Sequence, residues 1–133
     1  LEDYLKKYKI YEMKRNFGIN DGREIDLYLP NENIIIEVKI ANSDWYCLRH
    51  SIGQLMEYNY LLKKESYLIC VGNNKLTSDL KDYIDNNEKI SDIIYAWEED
   101  EKFLYYKSNT TKKEELKDWI KIYESSNIRP YFS

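Results

Sequence analysis

The chain has 133 residues, of which 43% are hydrophobic and 33% charged, with a net charge of −4. That length suits one globular domain around a single sizeable core. The composition excludes a uniformly basic nucleic-acid binder, so such a partner would need a local basic patch. Cys47 and Cys70 are too few and too far apart for a Cys-x-x-Cys site, and read as reduced thiols in or just beneath the core. No apolar run reaches membrane-spanning length and no signal peptide is visible, so a cytoplasmic location is expected. The chain begins at Leu1 rather than Met, as a domain cut from a longer protein would. Neither an internal repeat nor a low-complexity linker interrupts it. The 14 tyrosines and the many Lys, Asn and Ile residues read as compositional bias.

Leu1, Tyr4, Leu5 and Tyr8 follow the i, i+3, i+4, i+7 pattern of a helix. Glu2 and Asp3 fall in its first turn, where the helix dipole favours acids. Ile10–Phe17 alternates loosely and reads as a strand. Asn20-Asp21-Gly22 is a turn signal before a second strand, Arg23–Leu29. Lys6, Lys7, Lys9, Lys14 and Arg15 concentrate positive charge here, as a phosphate-attracting patch or simply a solvated face.

Pro30-Asn31-Glu32-Asn33 carries turn chemistry: a fixed φ at Pro30 and asparagines that tolerate turn conformations. Behind it runs Ile34–Ile40, an apolar strand containing Glu37 and Lys39. Strand side chains alternate, so Glu37 and Lys39 share one face and Ile36, Val38 and Ile40 the other. If the four turn residues form a hairpin loop, Leu29 faces Ile34, Asp26 faces Glu37 and Glu24 faces Lys39. Directly opposed Cβ atoms lie about 4.5–5.5 Å apart. Two carboxylates that close repel unless a proton or cation lies between them, and a hard divalent cation suits the oxygens.

Asn42-Ser43-Asp44 breaks the strand pattern, and Trp45-Tyr46-Cys47 reads as a loop or helix start. Leu48, Ile52, Leu55, Met56, Asn59 and Leu62 mark the inner face of a helix to about Lys64. Gln54 and Tyr58, four apart, stack on one face, which His50 could share as a surface or hydrogen-bonded residue. Ser66–Val71 is a buried strand ended by Gly72-Asn73-Asn74, which implies a right-handed parallel crossover through the Gln54 helix. Thr77 or Ser78 caps a helix with Leu80, Tyr83 and Ile84 inward. Ile93–Trp97 and Phe103–Lys107 are strands around the acidic turn Glu98–Glu101. Thr111-Lys112-Lys113-Glu114 is a capping box for a last helix carrying Leu116, Trp119, Ile120 and Tyr123, before an irregular tail, Asn127–Ser133. Trp45, Trp97 and Trp119 read as core residues.

Asp26, ten intervening residues, then Glu37-Val38-Lys39 resembles the PD-(D/E)xK nuclease superfamily. Gly22-Arg23-Glu24-Ile25-Asp26 and Gly53-Gln54-Leu55-Met56-Glu57-Tyr58 add to the likeness. The Gln-x-x-x-Tyr spacing is similar to the RecB-like branch, and the run from Gly53 to Tyr58 to NucS-type endonucleases. The likeness covers roughly residues 1–71. Ile25 stands where the motif's name has Pro, and two cysteines imply no iron–sulfur cluster.

The resemblance implies an α/β fold with a restriction-endonuclease-like core: a central mixed sheet of five or six strands with helices on both faces. The domain is expected to be single over residues 1–133, with its core in 1–97 and a C-terminal hairpin and helix in 93–125. The resemblance implies Mg²⁺ or Mn²⁺ held by Asp26, Glu37 and the Val38 carbonyl, with Glu2, or alternatively Glu12, completing the site. Lys39 would orient or deprotonate water or offset transition-state charge, and Gln54 would position the water or Lys39. Tyr58, with Lys14 and Arg15, would contact nucleic acid, with DNA favoured over RNA. Defence, repair or mobile-element processing are the contexts implied, with a homodimer or larger complex among the possible assemblies. The competing reading is a catalytically silent nuclease fold that binds nucleic acid or assembles with partners.

Overall fold

In the computed structural model, which describes residues 1–10, 12–19, 23–62, 66–109 and 114–121, a single seven-stranded sheet runs in chain order. The strands are β1 (Lys14–Ile19), β2 (Arg23–Leu29), β3 (Ile34–Lys39), β4 (Tyr67–Gly72), β5 (Ile93–Glu99), β6 (Lys102–Tyr106) and the two-residue β7 (Glu114–Glu115). β1, β2 and β3 form an antiparallel meander, β3, β4 and β5 are parallel, and β6 and β7 return antiparallel. The mixed α/β architecture matches the expectation, with β7 as an additional edge strand.

The parallel pairs require crossovers. β3 reaches β4 through α2 (Asp44–Leu62), and β4 reaches β5 through α3 (Ser78–Asp85) and a 3₁₀ turn at Glu88–Ile90. Both crossovers step the same way across the sheet, so a common hand puts both helices on one face. Cys47, Leu48, Leu55 and Tyr58 of α2 and Leu80 and Ile84 of α3 indeed share one core with Ile35, Cys70, Tyr95 and Trp97. The opposite face is covered by α1 (Glu2–Lys7) and by α4 (residues 116–121): Tyr4, Leu5, Leu116, Trp119 and Ile120 pack with Leu29, Ile34, Ile36 and Ile69. Both ends of the described chain therefore close the second core.

Turn chemistry sets the register. Leu29 pairs with Ile34 across Pro30–Asn33, as the hairpin expectation requires, and Asn33 takes a positive φ of 58°. At the β5–β6 hairpin, Glu99 pairs with Lys102, and Asp100 and Glu101 have φ of 54° and 63°. Two positive φ values suit a primed two-residue turn, which matches strand twist.

Several boundaries differ from expectation. The first strand starts at Lys14, not Ile10; Lys9 turns the chain at the end of α1 with φ 68°, and Ile10 is still buried. α2 begins at Asp44, so Trp45–Cys47 are helical, and its buried face is Asp44, Cys47, Leu48, Ser51, Leu55 and Tyr58. Met56 is 51% exposed and Tyr83 is also exposed. Tyr83 instead packs its ring against Trp45 at 5.1 Å. Thr77 caps α3 by accepting from the Leu80 N–H at 3.3 Å. Trp97 and Trp119 are buried and Trp45 partly so, as expected of core residues. Glu114 lies in β7 rather than in a helix. The turn Asn20–Gly22, the helix end at Lys64, Thr111–Lys113, Tyr123 and the tail Asn127–Ser133 lie outside the described residues.

Candidate active site

The β2–β3 ladder runs Leu29–Ile34, Tyr28–Ile35, Leu27–Ile36. One step further, in the same register, come Asp26 and Glu37. Here the strands change character. Ile25 packs with Tyr28 on the α2 side, whereas Leu27 and Leu29 face the other core, so alternation slips at Asp26. Across β1, the residue between the Arg15–Leu27 and Phe17–Ile25 pairs is Asn16, with φ 46°. A left-handed residue inside a strand is a local kink that Asn tolerates better than most.

Side chains take over the bonding at the slip. The Asp26 N–H donates to Glu37 Oε1 at 3.2 Å, and the Val38 N–H donates to Asp26 Oδ2 at 3.0 Å. The two carboxylates thus bind each other's strand and are brought close. Lys39 Nζ stands 3.6 Å from Glu37 Oε2. Glu24 is registered against Gly18 on β1, and the partner seen for Lys39 is Glu37.

Glu37 is 1% exposed. Burial, then the negative charge of Asp26, push its pKa up to about 7, against the opposing effects of the Asp26 N–H and Lys39. α2 brings two more groups over the pair. Tyr58 is 5% exposed, and its hydroxyl pKa is raised first by burial and then by the charges of Glu37 and Asp26. A hydrogen bond with the Gln54 side chain opposes that rise, which ties the two α2 residues together. Gln54 Oε1 is buried without a hydrogen-bond partner. Asp26, Glu37, Lys39, Gln54 and Tyr58 therefore converge. Tyr58 belongs to the α2-side core and is only 5% exposed, so little of its surface is offered for the nucleic-acid contact expected of it.

The remaining expected residues sit elsewhere in the charge pattern. Glu2 accepts an ion pair from Arg15 Nε at 2.9 Å, which links α1 to β1. Lys14 Nζ lies 5.1 Å from the centre of the Phe17 ring. Lys14, Arg15 and Glu12 are all side chains of the β1 region, and Lys14 and Arg15 are exposed. Among the described residues, no group of three or more His, Cys, Asp or Glu side chains is gathered so as to hold a metal ion. A cation at the acid pair would thus have two carboxylates, with its other positions left to main-chain oxygen, water or substrate.

Sequence reasoning missed Asp44. This acid is 2% exposed. Its Oδ2 accepts from the Thr77 N–H at 2.7 Å and the Thr77 hydroxyl at 2.8 Å, and its Oδ1 from the Trp45 N–H at 3.0 Å. It joins the start of α2 to the cap of α3. The signal was faint: Asp at a helix start is ordinary, and its partner lies 33 residues away.

No described helix is long and apolar enough to cross a membrane. No protein-family model, curated protein or solved structure matches this chain.

Proposed function

We propose that the chain is a metal-dependent nuclease that hydrolyses phosphodiester bonds, with DNA the favoured substrate, on a core of restriction-endonuclease type. The observation that carries this reading is the Glu37 carboxylate, 1% exposed and set beside Asp26 and Lys39. Burying an acid against a second acid is unfavourable for folding alone. A hard divalent cation relieves that conflict. The donor set fits one: both acids offer only oxygen, and Mg²⁺ commonly takes one or two carboxylates plus water and phosphate oxygens.

Asp26 and Glu37 would hold Mg²⁺ or Mn²⁺ with the Val38 carbonyl. When bound, such an ion supplies Lewis-acid polarisation of the phosphate and of an attacking water. Lys39 orients that water, takes its proton, or offsets charge developing on the phosphate oxygens. Gln54, its Oε1 buried and unpartnered, would fix the water or Lys39. Tyr58 neighbours Gln54 on α2 and would contact the nucleic-acid backbone.

A second reading is favoured by a specific observation. Among the described residues the site gathers two acids and no third, and Glu2 is engaged by Arg15. A silent nuclease fold that binds nucleic acid would tolerate that loss. Supercoiled plasmid, single-stranded DNA and RNA, each with Mg²⁺, Mn²⁺ or EDTA, separate the readings when the protein is compared with Lys39→Ala. Metal-dependent cleavage by the unmodified protein alone supports the nuclease. Salt-sensitive binding without turnover supports the silent fold.

A further inference from the structure

Lys39 is the last residue of β3, where a strand would ordinarily fray. The parallel ladder to β4 ends at its pairing with Gly72. Beyond that point the main chains diverge, yet the next segment is still held. The Ala41 N–H donates to Asn73 Oδ1 at 2.9 Å, and Asn74 Nδ2 donates to the Ala41 carbonyl at 2.8 Å. Two asparagine amides therefore continue the ladder with side chains in place of backbone. They also brace each other, Asn74 Nδ2 donating to Asn73 Oδ1 at 2.9 Å.

The brace is fixed from behind. The Tyr95 hydroxyl donates to the Asn74 carbonyl at 2.6 Å. The Cys47 thiol lies 3.4 Å from Asn73 Oδ1 and 3.6 Å from the Lys39 carbonyl. On the other side of Lys39, the Val38 N–H is held by Asp26. Gly72 permits this packing, since a Cβ there would collide with the Tyr95 hydroxyl and press on Cys47 at 3.0 Å. The main chain on both sides of Lys39 is thus tied to side chains of other elements.

We infer that Asn73 and Asn74 are positioning residues that set the Lys39 ammonium against the acid pair by clamping the Ala41 backbone. The inference rests on the nuclease reading for its catalytic consequence, but the clamp itself is testable without turnover. Lys39 reaches Glu37 from the end of β3 on a flexible four-carbon stem, so holding the backbone there narrows the positions its ammonium can sample. Misplacement by about 1 Å can lower a rate about a hundred-fold.

The experiment compares the unmodified protein with Asn73→Ala and Asn73→Asp. Asn73 is exposed, so both variants are expected to fold. Asn73→Ala removes the acceptor, whereas Asn73→Asp keeps it. Amide hydrogen exchange at Ala41, and acylation of Lys39 read by mass spectrometry, report the clamp directly. Asn73→Ala is expected to speed Ala41 exchange, change Lys39 labelling, and lower kcat about ten- to a hundred-fold with KM and Mn²⁺ affinity unchanged. Asn73→Asp is expected to restore slow exchange and the original labelling. Unchanged exchange and labelling in Asn73→Ala overturn the clamp. So does an Asn73→Asp variant as fast-exchanging as Asn73→Ala. A fall in Mn²⁺ affinity equal to the fall in rate assigns Asn73 to metal binding and overturns the positioning role. If the unmodified protein cleaves nothing, the nuclease reading fails, and exchange and labelling still decide the clamp.

Discussion

Two acids, Glu37 and Asp44, are buried almost equally, at 1% and 2% exposure, and they differ in everything else that matters. Asp44 sits among donors: two N–H groups and a hydroxyl reach its oxygens at 2.7–3.0 Å. Glu37 has one N–H at 3.2 Å, an ammonium at 3.6 Å, and a second carboxylate beside it. The first arrangement satisfies a buried charge. The second leaves it in conflict, which is the physical ground on which the acid pair is proposed as a site. Burial alone would have ranked the two acids together.

The sharpest way to break this comparison is to remove the charged neighbours of Glu37 and, separately, Asp44 itself. Asp26→Ala and Lys39→Ala are both expected to lower metal-dependent cleavage by on the order of a hundred- to a thousand-fold in a folded protein. Gel assays of plasmid cleavage, with circular dichroism to confirm folding, read the outcome. Full activity in either variant would sink the nuclease assignment. Asp44→Ala should act on the fold instead. It strands the Thr77 and Trp45 N–H groups and unties α2 from α3, at a cost of about 2–4 kcal/mol in urea unfolding. A folded Asp44→Ala protein with unaltered stability would show that the donors around Asp44 are incidental.

Proton linkage sharpens the contrast. The folded-state pKa of Glu37 is raised, from an ordinary 4.5 to about 7. The native state therefore binds more protons than the unfolded state between those values, so metal-free stability should fall as pH rises from about 4.5 to about 7 and level off above. Glu37→Gln mimics the protonated acid. It is expected to match the unmodified protein near pH 5 and to be the more stable at pH 8, and Mn²⁺ should narrow the pH 8 gap by stabilising the unmodified protein alone. Urea midpoints at both pH values, with Mn²⁺ and with EDTA, test this. A gap at pH 5 equal to that at pH 8 would mean that Glu37 does not titrate in this window.

How much of this was legible in the sequence depended on whether the cause was local. Pro30–Asn33 set the β2–β3 register because turn residues act on their own backbone, and the nearness of Asp26 and Glu37 followed. The phase of α2 was misjudged. Asp44 and Ser51 occupy its buried face, and counting apolar residues alone shifted that face toward Met56. Ser51 is there because its hydroxyl donates back to the Cys47 and Leu48 carbonyls at 3.1 and 3.0 Å. The Asp44–Thr77 tie and the Asn73–Ala41 clamp join residues more than 30 positions apart, so no local pattern announced them. Tyr58 was identified as part of the site but not as buried, since spacing reports a helical face without saying what covers it.

The smallest effect expected separates two glycines that look alike in the sequence. Gly72 has the Tyr95 hydroxyl and Cys47 against its α-carbon, so Gly72→Ala should cost about 1–3 kcal/mol by overpacking the clamp. Gly53 lies within α2, and nothing approaches its missing Cβ within 4 Å. There the backbone entropy of glycine is lost without a packing return, so Gly53→Ala should stabilise the protein by about 0.5–1 kcal/mol. Gly53 also precedes Gln54 and stands four residues from Glu57, which is paired with Arg23 on β2 at 2.5 Å. If Gly53→Ala raises the urea midpoint and leaves cleavage intact, that stretch of α2 is scaffold. If it raises the midpoint yet abolishes cleavage, substrate approaches the α2 backbone at Gly53, and the helix becomes part of the binding surface beside the acid pair.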